Sequence, residues 1–202
     1  MRYLLISIFC CLISCASYTK KNNFLEAELV NEVIHNPYFS DASKDYVYKA
    51  KIDVYNKIFG GIFIVKKIAK NNHRIVFTTE MGSKIFDFSY LDDNFKVNYI
   101  LEEMDKKILL NILEKDFRVL IRENEKVLSK SVKDNFTLLE TKIVNKKYFY
   151  TFKDEKLNSI SRVNMGKEKV QFLFSNINTN TAKNIQILHH NIKLTIKLKS
   201  IN

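Results

Sequence analysis

Few side chains in this sequence are of the types that perform catalysis or bind metals. The three cysteines, at positions 10, 11 and 15, all lie in the first fifteen residues. The four histidines are His35, His73, His189 and His190, and the last two are adjacent, so on a strand their side chains would point to opposite faces and could not bind one metal ion. Asp92-Asp93 and Glu102-Glu103 lie where turns or helix starts are expected, and a solvated turn explains both pairs. The side chains therefore reveal no evident catalytic centre.

The sequence also lacks the common motifs of enzymes. The sequence contains no His-Glu-x-x-His, no Gly-x-Ser-x-Gly, no phosphate-binding glycine loop and no dinucleotide fingerprint. Only four glycines are present, which leaves little material for backbone cradles. We therefore expect no enzyme activity, no cofactor and no metal site, although an enzyme that acts on lipid or cell-wall polymer remains a third alternative.

The chemistry that the N-terminus does indicate is lipid attachment. Arg2 precedes a mostly apolar run that ends in Leu12-Ile13-Ser14-Cys15. This run is too short to span a bilayer, which needs about 20 residues, and a charged start with a short apolar core is typical of a bacterial secretory signal. Its last four residues resemble a lipobox, where signal peptidase cuts before a cysteine that carries a diacylglyceryl group. The resemblance implies a signal peptide at 1–14 and lipidation of Cys15; an ordinary signal peptide is the alternative.

The charge of the chain indicates the surfaces that it favours. The formal net charge is +11, and removal of residues 1–14 removes Arg2 alone and leaves +10. Such a protein favours anionic surfaces, for example phospholipid headgroups. Nucleic acid is the competing partner, and the secretory signal argues against it. A solvated, lysine-rich surface without a special partner is the third possibility.

Hydrophobic periodicity predicts the secondary structure that follows this N-terminal segment. Residues 15–23 form a polar tether, and 24–202 form one domain. Helical spacing predicts a helix over Asn23–His35, and alternation then predicts antiparallel strands from Asp45 onwards, with a turn at Gly60-Gly61. A second helix, Met104–Ile121, with Asp105 as its N-cap, interrupts the strands, and the charged stretch Glu123–Asp134 is a predicted loop.

The predicted fold class is α+β, with one large curled antiparallel sheet of about ten strands that is plugged by helices. A sheet of this size must curl or close. Its apolar faces and the second helix together supply the candidate interior: Phe77, Phe86, Phe88, Tyr90, Phe95, Leu109, Ile112, Leu113, Phe117, Tyr150, Phe152, Phe172 and Phe174. Two interpretations stay open, an ordinary filled core and a half-barrel with an apolar cavity for lipid chains.

The segment from Asn72 to Ile121 resembles the LolA and LolB lipoprotein-localisation family. A strand leads into Thr78-Thr79-Glu80-Met81-Gly82-Ser83, two further strands follow, and the helix comes next. In the family the loop has the form Thr-x-Pro-Leu-Gly-Ser, and the helix plugs a half-barrel. The final alternating strand, Asn191–Ser200, and the lipobox resemble LolB, the lipid-anchored member. The resemblance departs from the family at Glu80, which replaces proline, and in the absence of tryptophan.

This resemblance implies a half-barrel that binds acyl chains of lipoproteins or lipids, receives them from a periplasmic LolA-like carrier and inserts them into the outer membrane. Met81, with Gly82, takes the place of the exposed leucine that enters the bilayer; a buried loop methionine is the alternative. The implied protein is a lipid-anchored monomer on the periplasmic face of a bacterial outer membrane. A structural or protein-interaction lipoprotein with a filled core and no ligand is the alternative function.

Overall fold

The computed structural model describes residues 17–29 and 31–201, and a single large sheet dominates them. The helices are α1 (Tyr18–Lys21) and α2 (Lys107–Ile121). The strands are β1 (Leu25–Ala27), β2 (Val33–His35), β3 (Asp45–Val54), β4 (Lys57–Ala69), β5 (Asn72–Thr78), β6 (Lys84–Leu91), β7 (Asn94–Ile100), β8 (Asn124–Lys126), β9 (Ser129–Lys133), β10 (Phe136–Ile143), β11 (Lys146–Lys153), β12 (Lys156–Asn164), β13 (Lys167–Asn178), β14 (Thr181–His189) and β15 (Leu194–Ser200).

Thirteen strands form one open antiparallel sheet in the order β1-β9-β10-β11-β12-β13-β14-β15-β3-β4-β5-β6-β7. A separate two-stranded sheet pairs β2 with β8. The predicted large antiparallel sheet is therefore confirmed. The α+β assignment needs correction, because the described residues are mostly sheet, with only two helices and more than the expected ten strands.

The predicted helix over Asn23–His35 is wrong, because β1 and β2 occupy this segment. Their partners come from the stretch Glu123–Asp134, where a loop was expected: Leu25 pairs with Val132, and Ile34 pairs with Glu125. Both errors have one cause, since these short strands obtain their hydrogen bonds from a segment about 100 residues away. Hydrophobic spacing within either segment cannot reveal such a partner.

The second predicted helix is confirmed as α2, but its start differs. It begins at Lys107, and Lys106 is the N-cap without a side-chain hydrogen bond, so the expected cap at Asp105 is wrong. The turn expected at Gly60-Gly61 is also wrong. Both glycines lie inside β4, and the chain turns at Tyr55-Asn56 instead.

Contacts of α2 demonstrate that the sheet curls. The Phe117 ring lies 5.2 Å from that of Phe63 on β4 and 5.7 Å from that of Phe86 on β6, between ring centroids. The adjacent Asp116 reaches His189 on β14. Strands β14 and β6 are five strand spacings apart, which corresponds to about 24 Å on a flat sheet. Neighbouring residues of one helix can contact both strands only if the sheet wraps around that helix.

A second segment, 36–40, fills the other part of the concave face. The ring of Tyr38 lies 4.6 Å from that of Phe174, and its hydroxyl donates to the Leu157 carbonyl at 2.6 Å. The neighbouring Phe39 ring lies 5.1 Å from that of Tyr46. The core therefore sits between the inner face of the sheet, α2 and this segment.

Asp87 is a buried carboxylate on the opposite, outer face of β6. Arg74 donates to both of its oxygens at 2.9 and 2.8 Å, and Lys84 and Asn98 each add a bond at 3.1 Å. The hydrogen bonds from Arg74, followed by those from Lys84 and Asn98, hold the pKa of Asp87 well below its usual 3.8. The folded state therefore favours the ionised carboxylate.

We expect Asp87→Asn to lower the free energy of unfolding by about 2 kcal/mol at neutral pH. Because the pKa is lower in the folded state, the contribution of Asp87 is complete above the unfolded pKa, near 4, and is lost as the pH falls below that value. Urea unfolding at several pH values measures both effects. The exposed turn variant Asp134→Asn is the control, with a change within about 0.5 kcal/mol; equal losses for the two variants would contradict the assignment.

Candidate functional site

The structure brings all thirteen residues of the predicted interior into one hydrophobic cluster. Ten of them are buried, and Phe95, Ile112 and Phe152 are partly buried against the same cluster. Alternation along the strands and the three-to-four spacing of the helix place these side chains on the concave side. These side chains therefore lie in one hydrophobic cluster, and their role as an acyl-chain cavity stays a prediction.

The rings in this interior contact one another directly. Phe86 stacks on Phe88 with centroids 4.5 Å apart, and Phe77 lies 5.3 Å from Phe86. Phe117 of α2 packs against both stacked rings, at 5.7 and 6.5 Å. The concave face is packed in this conformation, so an acyl chain could enter it only after α2 moves.

Two large pockets open on the outer face of the sheet. One has a volume of about 670 Å³ and is lined by α1 and the strands β10 to β13, with Phe149 and Arg162 among its residues. The other has a volume of about 690 Å³ and is lined by β12 to β15 and β3, with Lys51, Lys197 and Lys199 among its residues. Neither is the predicted aromatic cavity, which stays a prediction.

Three polar contacts join α2 to the wall of the half-barrel: the Tyr90 hydroxyl donates to the Glu114 carbonyl, Arg118 donates to the Asp92 carbonyl, and Asp116 pairs with His189. His189 Nε2 lies 2.6 Å from Asp116 Oδ2, and both side chains are buried. Burial raises the pKa of Asp116 from its usual 3.8, while the hydrogen bond to His189 opposes this rise. Sequence reasoning missed this pair, although a signal was present: Asp116 interrupts the apolar stripe of α2 between Leu113 and Leu120.

Two buried side-chain atoms of the described residues lack a hydrogen-bond partner, the Tyr150 hydroxyl and Glu123 Oε1. Burial raises the pKa of Tyr150, so this hydroxyl stays protonated. Within the described residues no three His, Cys, Asp or Glu side chains are grouped as metal ligands require. His189 faces Asp116, and His190 lies outside near Glu168, so the two histidines point apart as their adjacency predicted.

The loop between β5 and β6 holds Met81 in solvent. Its side chain is 93% exposed, so the alternative of a buried loop methionine is wrong. Hydrogen bonds fix the loop, since Thr79 N–H donates to the Ser83 carbonyl at 2.8 Å and Gly82 N–H to the Thr79 carbonyl at 3.0 Å. Gly82 has a φ of +88°, a value that favours glycine.

Glu80, which departs from the family loop, is paired in this structure. Its Oε1 lies 2.8 Å from Lys49 Nζ on β3. The hydrogen bond to Lys49 lowers the pKa of Glu80, so the carboxylate is ionised and its charge is balanced beside the apolar tip. Glu80 therefore forms an exposed ion pair across β4 with Lys49 on β3, and such a pair contributes little to stability.

Cys15 and residues 1–14 lie outside the described residues, and their lipidation and cleavage stay predictions. The expected tether, 15–23, contains the short helix α1, whose Tyr18 ring lies 4.6 Å from Phe149. The Tyr18 hydroxyl donates to Glu168 at 2.5 Å. None of the described helices has the length and apolar composition needed to cross a membrane.

Comparisons with known proteins bear on the fold. No protein-family model matches the sequence, and no curated protein matches it significantly. A LolA superfamily protein from Nitrosomonas europaea has a similar structure, with a TM-score of 0.50 and 7% identity over 83% of this chain and 88% of the other. The described chain therefore has a LolA-like fold.

Two further solved structures are more distant. A DUF1329 family protein from Desulfovibrio piger has a TM-score of 0.40 at 8% identity, with 80% of this chain and 85% of the other covered. A domain assigned to an outer-membrane lipoprotein-sorting protein from Vibrio parahaemolyticus has a TM-score of 0.42 at 8% identity, with 78% and 83% covered.

Proposed function

We propose that this protein is a lipid-anchored carrier that accepts acylated lipoproteins on the concave face of its sheet and inserts them into a bacterial outer membrane. The observation that carries the proposal is the LolA-like sheet wrapped around one helix, with an interior almost entirely of aromatic and aliphatic side chains. No covalent step is needed, because acyl chains pass from one apolar environment to another.

The helix α2 is the element that must move in this proposal. Its inner side chains occupy the space where acyl chains would lie, and Phe117 alone contacts three rings of the wall. Acyl chains would replace these contacts with similar apolar ones, so the cost of displacing α2 is offset by cargo burial. This movement breaks the Asp116–His189 pair and the hydrogen bonds of α2 to Tyr90 and to the Asp92 carbonyl.

The anchor and the loop have separate roles. The diacylglyceryl group on Cys15 keeps the body at the periplasmic face of the membrane, and multiple acyl chains make such an anchor stable. Met81 enters the bilayer beside the cargo, a task that suits a flexible apolar side chain. A periplasmic LolA-like protein would supply the cargo.

Cargo binding is tested with a synthetic triacylated lipopeptide and the same peptide without acyl chains. We expect a one-to-one complex with the lipopeptide alone by native mass spectrometry, together with faster amide exchange over residues 107–121 as α2 leaves the wall. Lipid extracted from the purified protein should contain acyl chains. No complex, no bound lipid and unchanged exchange would contradict the proposal.

Delivery is the second arm of this experiment. Met81→Glu should leave lipopeptide binding intact and block its release into phospholipid vesicles, whereas Ile68→Glu, an equally drastic change at another exposed apolar position, should release it normally. Normal release by the Met81 variant would remove Met81 from the delivery step.

The packed interior favours a second candidate, an envelope lipoprotein that binds a protein partner and carries no ligand. Direct ring contacts throughout the concave face are what a permanent core requires. The lipopeptide experiment separates the candidates, since a permanent core neither binds acyl chains nor releases α2.

A further inference from the structure

The hairpin turns of the large sheet are divided between its two ends. The turns Tyr55-Asn56, Val144-Asn145 and Met165-Gly166 and the loop Thr79–Ser83 lie at one end, as the strand registers require. Pairing of Val54 with Leu194 and of Val170 with His189 connects the two halves of this end across the middle of the sheet. We call these four turns the apolar rim. The fifth connection at this end, 190–193 between β14 and β15, is polar apart from the partly buried Ile192 and does not belong to it.

Each turn of the apolar rim presents an apolar or aromatic side chain to solvent. Met81 is 93% exposed, Met165 90%, Val144 64% and Tyr55 53%. The turns at the opposite end carry polar or charged residues in the corresponding places: Lys70, Asn71, Asp92, Asp93, Asp134, Asn135, Asp154, Glu155, Thr179 and Asn180. The asymmetry is not a property of hairpins in general, since turns favour polar residues at both ends of a sheet.

The backbone makes these residue types still less expected. Tyr55, Val144 and Met165 have φ values of 46°, 46° and 50°, in the left-handed region that favours Gly, Asn and Asp. A β-branched residue such as Val144 is especially disfavoured there. Asp154 occupies the same conformation at the other end, with φ 46°, and is an ordinary turn residue. Local stability therefore does not explain the apolar side chains, and unfavourable backbone of this kind points to a function.

Lysines flank these turns, although the opposite end also carries them, with Lys156 after the Asp154-Glu155 turn and Lys70 in the β4–β5 turn. Lys57, Lys84, Lys146 and Lys167 directly follow the four turns of the apolar rim, and all are exposed. Among the described residues, Lys57, Lys146 and Lys167 have no ion-pair partner. The loop 102–105 follows β7 at the same end of the sheet, but it is acidic and does not belong to the apolar rim. Apolar turn side chains flanked by lysines without ion-pair partners suit binding to a lipid bilayer, which has an apolar interior and anionic headgroups.

The N-terminal segment also leaves from this end. Ser17, Tyr18 and Thr19 line the outer pocket together with Asn145, Lys146, Met165 and Gly166. Only Ala16 separates Ser17 from Cys15, and chain geometry limits the distance between the two Cα atoms to about 7 Å. A lipid on Cys15 would therefore enter the bilayer beside the turns that carry Val144 and Met165.

We propose that the apolar rim is a membrane-docking surface, on which Tyr55, Val144 and Met165 join Met81 in entering the headgroup region of an anionic bilayer. The rim orients the sheet with its strands pointing towards the membrane and its acidic turns away from it. This proposal extends the membrane contact beyond the Met81 loop and does not depend on acyl cargo, so failure of the carrier function would leave it standing.

The chain contains no tryptophan, so single tryptophans report which end touches lipid. We expect Tyr55→Trp, Val144→Trp and Met165→Trp in the full-length protein to shift their emission to the blue on vesicles of phosphatidylglycerol and phosphatidylethanolamine, and to be quenched by brominated lipids. Ile68→Trp, exposed at the opposite end of β4, is the matched control and should remain unquenched. Equal quenching at both ends, or none at the rim, would overturn the proposal.

Asparagine variants test whether the side chains of Tyr55, Val144 and Met165 contribute to membrane binding rather than to folding stability. Tyr55→Asn, Val144→Asn and Met165→Asn suit the left-handed turns, so we expect unfolding midpoints that are unchanged or higher. Vesicle binding of the protein without its acyl chains (Cys15→Ser) should weaken about tenfold for each substitution, and Ile68→Asn should not change it. Loss of folding in the asparagine variants, or undiminished vesicle binding, would count against the proposal, and salt-independent binding would exclude the role of the lysines.

Discussion

Replacement of Phe117 by alanine is expected to lower the free energy of unfolding by about 3 to 5 kcal/mol, the range for removing a fully buried phenylalanine ring. The Phe117 side chain has no solvent exposure and contacts the rings of Phe63, Phe86 and Phe88. The cavity left behind would lie where α2 meets the sheet and could not collapse without shifting the helix. A loss of this size is a large part of the stability of an ordinary domain, about 5 to 15 kcal/mol.

Urea unfolding followed by circular dichroism measures this loss. Ile108→Ala lies on the same helix at a side chain that is 70% exposed, and we expect a change within about 0.5 kcal/mol. The pair of variants separates packing from helix propensity, since alanine is a good helix former at both positions. A loss below about 1 kcal/mol for Phe117→Ala would show that α2 is not packed on the sheet in solution.

Replacement of Gly61 by alanine is expected to cost about 3 kcal/mol, because the added methyl group meets backbone that cannot easily move. A Cβ at this position would lie 1.8 Å from the carbonyl oxygen of Thr78 on β5, and the φ of Gly61 is +159°. The close approach lies at the end of the β4–β5 pairing, where Ile62 pairs with Thr78, the residue directly before the Thr79–Ser83 loop. Relief of the clash would therefore disturb both strands.

Gly60 offers the matched control one residue earlier. A Cβ there has no heavy atom within 4 Å, and Gly60→Ala should change the free energy of unfolding by no more than about 0.5 kcal/mol. Thermal and urea unfolding of both variants measure the difference. Similar stabilities for the two variants would mean that β4 and β5 do not approach as described.

The two glycines also illustrate what the sequence could and could not predict. Adjacent glycines are an ordinary turn signal, but here the first sits in open space and the second permits two backbones to approach. The turn itself lies at Tyr55-Asn56, without the usual glycine. The position of the turn follows from the register of β4 with β3, and the close approach at Gly61 follows from the register with β5. The local sequence contains neither register.

Elements that bury one face were predictable, because burial on one side imposes alternation on a strand and a stripe on a helix. β3, β5, β6, β7 and α2 follow this rule, and so do the thirteen interior residues. The short strands β1, β2, β8 and β9 have largely exposed or mixed faces, so only their distant partners define them. Strand β14 was not predicted at all.

The candidate site divides in the same way. Hydrophobic side chains on strands and helix could be assigned to one interior without knowledge of the topology. The Asp116–His189 contact could not, since it depends on which strand the helix crosses. Only the order of the strands places the turns at Tyr55, Val144 and Met165 at the same end of the sheet. Each of these residues is visible in the sequence as an apolar or aromatic residue before Asn or Gly.

The position of β15 determines when the molecule can be completed. This last strand pairs with β14 on one side and with β3 on the other, through Leu194 with Val54 and Ser200 with Tyr48. Until residues 194–200 are available, the sheet consists of two separate parts, and β3 and β14 each present an unpaired edge that favours aggregation. Pairing between β3 and β15, which lie about 140 residues apart in the sequence, is slow, so the sheet is completed late in folding, and deletion of residues 194–200 would remove the strand that unites the two parts.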